Sequence, residues 1–264
     1  ENTKPFDYRS LHKAQKRLFS PVVNNLGLNF THVEDNYTDF NREKLIPYQV
    51  SDRGPALAIG DLNQDGKEDV YFGGSKFEPS QIYLQQDSTF VKHNYPSLQK
   101  DSIKENISAT IMDFNKDGKN DLFVTSGGGD FFGKSDALAD NCFIQQDSTF
   151  VSLDLPKFFQ NSSVVRPFDF DQDGDLDVFV GGHTITARFG APATSYILEN
   201  VDGTFRIFKG FEEHSQGMVT DALWSDFDND GLTDLILVGE WMSPQFLKNE
   251  KDRFISVNDM DLKG

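Results

Sequence analysis

Four short stretches of the chain set acids and amides at alternate positions around a glycine. The first is Asp61-Leu62-Asn63-Gln64-Asp65-Gly66-Lys67-Glu68-Asp69; the others run 113–121, 169–177 and 226–234. All four fit Asp-x-Asx-x-Asp-Gly-x-x-Asp. Side chains at positions 1, 3 and 5 of such a loop converge when the chain turns tightly, and Gly at position 6 permits the bend. Position 7 is expected to give its backbone carbonyl, and position 9 to close the shell. The ligand sets are therefore Asp61, Asn63, Asp65, Lys67 and Asp69; Asp113, Asn115, Asp117, Lys119 and Asp121; Asp169, Asp171, Asp173, Asp175 and Asp177; and Asp226, Asp228, Asp230, Leu232 and Asp234. All of these donors are oxygens, as Ca²⁺ requires at about six to eight per ion.

An EF-hand closes its shell with Glu at position 12. Here position 12 falls in an apolar run, so the loops are expected between strands rather than helices. Transition metals favour His or Cys, which the loops lack. Mg²⁺ resists losing its waters and fits less well. Asp and Asn also form metal-free Asx turns, but four loops with every ligand position filled favour the metal. Four Ca²⁺ would move the formal charge from −17 to −9, so much of the acidity is clustered in these loops.

The elements that must hold the loops repeat with them. Loop starts at 61, 113, 169 and 226 are 52, 56 and 57 residues apart. Each loop leads into an apolar run, such as Val70-Tyr71-Phe72 or Leu122-Phe123-Val124, which reads as a strand buried on both faces. A strand-like stretch precedes each loop, and two more with a polar hairpin turn follow, as in Gln81-Ile82-Tyr83-Leu84 and Thr89-Phe90-Val91. Units of four antiparallel strands at this spacing predict an all-β chain of β-propeller blades. Residues 1–27 are expected to be an irregular or helical extension and 28–264 the repeats, with Leu28 to Val33 as one extra strand.

These loops between paired strands are similar to FG-GAP repeats, also called VCBS-type repeats, of the integrin α-subunit propeller. The stretch from Phe30 through Asp39-Phe40 and Leu45-Ile46-Pro47 to Gly54-Pro55-Ala56-Leu57-Ala58 further resembles bacterial cell-envelope proteins related to cartilage acidic protein. The resemblance covers residues 28–258. It implies an extracellular or surface-exposed propeller with calcium in its loops, and it brings no catalytic residues. Such propellers usually have more blades than four, so either this ring closes with four or the chain is a piece of a larger one. The absence of Met at position 1 points to a processed product or a piece of something longer.

A net charge of −17 argues against nucleic-acid and anionic-membrane partners. The single cysteine, Cys142, forbids an internal disulfide and reads as core. No run approaches the roughly 18 apolar residues of a membrane-spanning helix. The five histidines share no spacing, and no nucleophile triad, phosphate loop or zinc pattern stands out. A non-enzymatic binding module is therefore expected, with a protein partner in the cell envelope. The alternatives are a carbohydrate-binding or carbohydrate-active component and a structural subunit of an envelope assembly. In the two middle units the loop between second and third strands is longer, over Ser126–Asp140 and Gly181–Ser195. Phe131, Phe132, Arg188 and Phe189 in these loops, with Trp241 in the fourth unit, are the candidate partner-binding residues. The same residues could instead pack locally or plug a central channel.

Overall fold

The structure is a computed structural model and describes residues 19–257, except 21, 23, 25, 101, 148 and 212–216. The N-terminal extension read as helical or irregular lies largely outside the described residues. Among the described residues, seventeen strands form four antiparallel sheets. The first blade holds β1 (Leu57–Gly60), β2 (Asp69–Phe72), β3 (Gln81–Gln86) and β4 (Thr89–His93). The second holds β5 (Glu105–Met112), β6 (Asp121–Gly127), β7 (Asn141–Gln146) and β8 (Thr149–Leu153). The third holds β9 (Asn161–Phe168), β10 (Asp177–Ile185), β11 (Arg188–Pro192), β12 (Tyr196–Val201) and β13 (Thr204–Ile207). The fourth holds β14 (Met218–Ser225), β15 (Asp234–Glu240), β16 (Gln245–Asn249) and β17 (Phe254–Val257). This is the all-β, blade-like architecture that the repeats predict.

The apolar runs after the loops are buried on both faces because consecutive residues serve different layers. Leu122 and Val124 pack toward the first blade, while Phe123 between them packs toward the third. Val178 and Val180 likewise face the second blade, and Phe179 faces the fourth. All six are at most 1% exposed, and each contributes about 1.5–3 kcal/mol of burial. Three such layers join the four blades; among the described residues no packed layer joins the fourth blade to the first. Leu57 and Ile59 on the first blade and Leu223 and Val238 on the fourth stay exposed.

Two expectations need correcting. Residues 28–33 form no strand. That segment lies along the first blade: Leu26 accepts from the Phe90 amide at 2.7 Å, and the Phe30 ring stacks on Phe72 at 4.3 Å. Ring stacking, rather than a ladder, uses its apolar residues. The other correction concerns the long connections. Gly181 and Gly182 read as the end of a strand, but β10 continues through them and turns into the extra strand β11. Gly182 is needed for close approach, since a Cβ there would lie 2.5 Å from the Thr194 carbonyl oxygen.

Residues 31–55 run as a strap over the end of the blades opposite the acidic loops. The strap meets the second blade where Tyr37 and Arg42 both donate to the Gly129 carbonyl at 3.2 Å. It meets the third where Glu43 accepts the Phe189 amide at 2.8 Å, and the fourth where the Tyr48 hydroxyl donates to Glu240. Buried Asp39 shapes its turn by accepting from Val50 N, Ser51 N and Ser51 Oγ at 2.7–3.0 Å.

Candidate functional site

The four acidic loops share one backbone. Position 4 (Gln64, Lys116, Gln172, Asn229) has φ of 57–63°, and the glycine after position 5 has φ of 80–91°. A Cβ at Gly66, Gly118 or Gly231 would meet nothing within 4 Å, so conformation alone calls for glycine there. The turn aims amides at the acids. In the first loop Asp61 accepts from the amides of Asp65 (3.2 Å) and Gly66 (2.8 Å), and Asp65 accepts from Lys67 (2.9 Å). The second and fourth loops repeat these bonds. In the third, Asp169 Oδ2 accepts from Gly174 at 3.0 Å, while its Oδ1 is buried with no hydrogen-bond partner.

Position 9 sits beneath each loop rather than on its rim. Asp69, Asp121, Asp177 and Asp234 are all 0% exposed. In each, Oδ2 accepts the amide of loop position 2 and Oδ1 accepts an amide of the third strand. The pairs are Leu62 and Gln85, Phe114 and Gln145, Phe170 and Asn200, and Phe227 and Asn249, at 2.8–3.1 Å. Burial pushes these carboxyls up, Asp121 to about 6 and Asp177 to about 7, against the pull of those amides. Two loops gather three carboxylates within 4.8 Å of one another: Asp169, Asp171 and Asp177, and Asp226, Asp228 and Asp230. Asn63 and Asn115 at position 3 leave the first two loops with fewer charges.

Lysines stand near all four loops. Lys248 binds Asp228 and also Asp230, the latter at 2.8 Å, which holds the Asp230 carboxyl below its usual range. Lys116 pairs with Asp175 of the next loop. Lys67 and Lys119 at position 7 reach Asp87 and Asp147 in their own hairpin turns. The loops also bond to one another: Gln64 to the Gly118 carbonyl at 2.7 Å and Gln172 to the Gly231 carbonyl at 2.9 Å.

The candidate partner-binding residues lie at the strap end. Phe132 (68% exposed), Trp241 (75%) and Arg188 face solvent. Phe131 and Phe189 are half-buried, Phe189 against the strap. Lys76 sits over the Phe131 ring, and Phe189 packs edge-on to Tyr48 and Trp241 at 5.6 and 5.4 Å. Arg42 covers Phe132 at 4.9 Å. The structure thus brings Arg188, Phe189 and Trp241 together and keeps Phe131 and Phe132 as a second group.

Beneath Phe189 is a polar cluster that sequence spacing did not reveal. Fully buried His183 lies 3.4 Å from both Glu240 and the Tyr48 hydroxyl. Burial first, then the Arg53 guanidinium, holds the imidazole down at about 4, against the pull of Glu240. His183 Nδ1 and Arg53 Nη1 are buried without hydrogen-bond partners. The four residues come from the strap, β10 and β15, up to 192 positions apart.

The fold and its loops define a repeat protein of antiparallel four-stranded blades, each carrying an oxygen-rich acidic turn between its first two strands. The chain belongs to the FG-GAP-like repeat family, whose sequence pattern matches residues 61–124, 113–180 and 169–237. Each match opens on a loop's first aspartate and ends in the second strand of the next blade. None of the curated proteins matches the chain. Among solved structures it is similar to a lectin of Agrocybe aegerita described as recognising non-reducing terminal N-acetylglucosamine. Identity is 11% and the TM-score 0.49, over 77% of this chain and 51% of the lectin. It is also similar to the biofilm matrix protein Bap1 of V. cholerae, at 13% identity and a TM-score of 0.40, over 78% of this chain and 30% of that one. The chain spans about half the length of the first and under a third of the second. No helix among the described residues is long and apolar enough to cross a membrane.

Proposed function

We propose that this chain is a non-enzymatic binding module of the cell exterior, stabilised by Ca²⁺ in its four acidic loops, with its recognition surface at the strap end. The observation that carries the calcium reading is the third loop. There three carboxylates converge, and a buried oxygen of Asp169 has no donor. A cation supplies what that oxygen lacks and offsets the mutual repulsion of Asp169, Asp171 and Asp177. The ligands would be the acids and amides at positions 1, 3, 5 and 9, with the position-7 carbonyl. Bound Ca²⁺ would supply charge neutralisation and crosslinking, not catalysis. Titrating metal-depleted protein with Ca²⁺ in a calorimeter tests this: about four sites are expected, and Asp173→Ala should remove one.

The strap end suits a protein partner because it presents large aromatic side chains and an arginine without a metal-fixed backbone. Phe132, Arg188 and Trp241 there, with Leu45 (99% exposed) of the strap, offer contact area of the kind that anchors interfaces. A glycan is the second reading. It is favoured by a cavity of about 320 Å³ lined by Phe158, Thr194, Ser195, Tyr196, Phe208 and Phe211. Phe158 stacks on Tyr196 there at 4.1 Å, leaving an aromatic wall beside hydroxyl groups. Phe158→Ala would abolish glycan binding on that reading and leave a protein partner at the strap end unaffected.

A further inference from the structure

We propose that His32, Glu34 and Glu105 form a binding site for one divalent transition-metal ion, of which Zn²⁺ is the model, separate from the acidic loops. His32 and Glu34 are two residues apart in the strap, and their side chains meet there. Glu105 opens β5 in the second blade and meets them from across the strap. One nitrogen or oxygen of each lies within 4.8 Å of the others, and His32 Nε2 contacts Glu34 Oε1 directly. An imidazole with two carboxylates is a zinc-type donor set that leaves a fourth position open. The oxygen-only loops have a different chemistry.

Two further observations point to a cation. First, a void of about 10 Å³ lies among Glu34, Asp35, Asp52, Glu105 and Asp130. That is about the space of one water-sized sphere. Five carboxylates wall it against one ammonium, Lys76, which is already shared by Asp35 (3.2 Å) and Asp130. Second, Glu105 is 2% exposed, and among the described residues no lysine or arginine forms an ion pair with it. Its carboxylate accepts from two neutral donors, the backbone amides of Gly54 (3.2 Å to Oε1) and Lys76. A buried carboxylate beside others is disfavoured unless a positive charge joins it. The backbone leaves room for that joining: a Cβ on Gly54 would lie 2.5 Å from Glu105 Oε1 and 3.3 Å from His32 Cε1.

The ion would tie the strap to the second blade, as the loops tie strands within blades. The test titrates the full chain with Zn²⁺ while Ca²⁺ is saturating, with Co²⁺ absorption as a check on nitrogen ligation. One equivalent of zinc is expected. His32→Ala and Glu105→Gln should each weaken it at least about tenfold, while calcium-dependent melting stays as in wild type. Asp173→Ala, in the third acidic loop, should leave zinc uptake unchanged. If Glu105→Gln does not fold, the partly exposed His32 and Glu34 carry the test through His32→Ala and Glu34→Gln. No zinc uptake under saturating calcium, or uptake indifferent to His32→Ala, would overturn the proposal. Neither result would touch the calcium reading.

Discussion

Asn249 in the last blade donates its side-chain amide to the Phe170 carbonyl, in the acidic loop of the blade before it, at 2.8 Å. The same residue's backbone amide bonds to Asp234 of its own blade at 2.9 Å. Asn200 does likewise, to the Phe114 carbonyl (2.7 Å) and Asp177 (2.9 Å), and Gln145 to the Leu62 carbonyl and Asp121. One residue in each of the second, third and fourth blades thus couples a buried carboxylate in its own sheet to the loop of its neighbour. Asn249→Leu should remove the bonds to the Phe170 and Thr233 carbonyls and leave both acceptors buried. The expected loss is about 1–3 kcal/mol, read as a lower urea midpoint with unchanged slope.

Lys248 competes with any cation for the fourth loop. Its ammonium already binds Asp228 and Asp230. Lys248→Ala should therefore raise the calcium affinity of that loop by a few-fold, as fits an exposed, solvent-screened pair. Calorimetry of Lys248→Ala against wild type checks this; unchanged affinity at every site would mean the lysine stands clear of the ion.

His183 makes stability fall in mild acid. Its folded value of about 4 lies below its ordinary 6.5. Between those values the unfolded chain holds more protons than the folded one, so this contribution is complete above pH 6.5 and is lost as pH drops toward 4. The full effect is roughly 3 kcal/mol. Arg53, Glu240 and Tyr48 face the imidazole and set its balance. His183→Gln should flatten the fall in melting temperature between pH 6.5 and 4 relative to wild type; an identical profile would show that His183 protonates freely.

The blades were readable because their signals are local. Each loop, its glycine and the apolar run behind it fall within a dozen residues, and Leu122-Phe123-Val124 already shows a strand with no solvent face. The double duty of Asp121 and Asp177, as loop acids and as buried acceptors for the third strand, was not readable, since it depends on strand pairing. Nor was the path of the strap. Tyr48 meets Glu240 across 192 positions, and Glu105 meets His32 and Glu34 across about seventy. Short-range spacing carries no trace of such contacts. Phe189 was legible as a loop aromatic, but whether it faced solvent depended on that strap.

Recognition at the strap end is separable from stability. Replacing Phe132, Arg188 and Trp241 together by Ala removes exposed groups only, so melting should shift little. Capture of a cell-envelope protein by the immobilised chain should be lost. Capture equal to wild type would move the recognition surface elsewhere, to the cavity beside Phe158 first.

The proposed function turns on calcium as a structural ligand of four loops. With affinities near 10⁻⁴ M and about 1 mM free Ca²⁺, each site would contribute roughly 1.4 kcal/mol and four together about 5–6 kcal/mol. Thermal unfolding of the full chain in 1 mM Ca²⁺ and in excess chelator is the direct measurement. A fall of about 10 °C or more on chelation is the predicted result for a domain of this size. The same melting temperature in both conditions would contradict it.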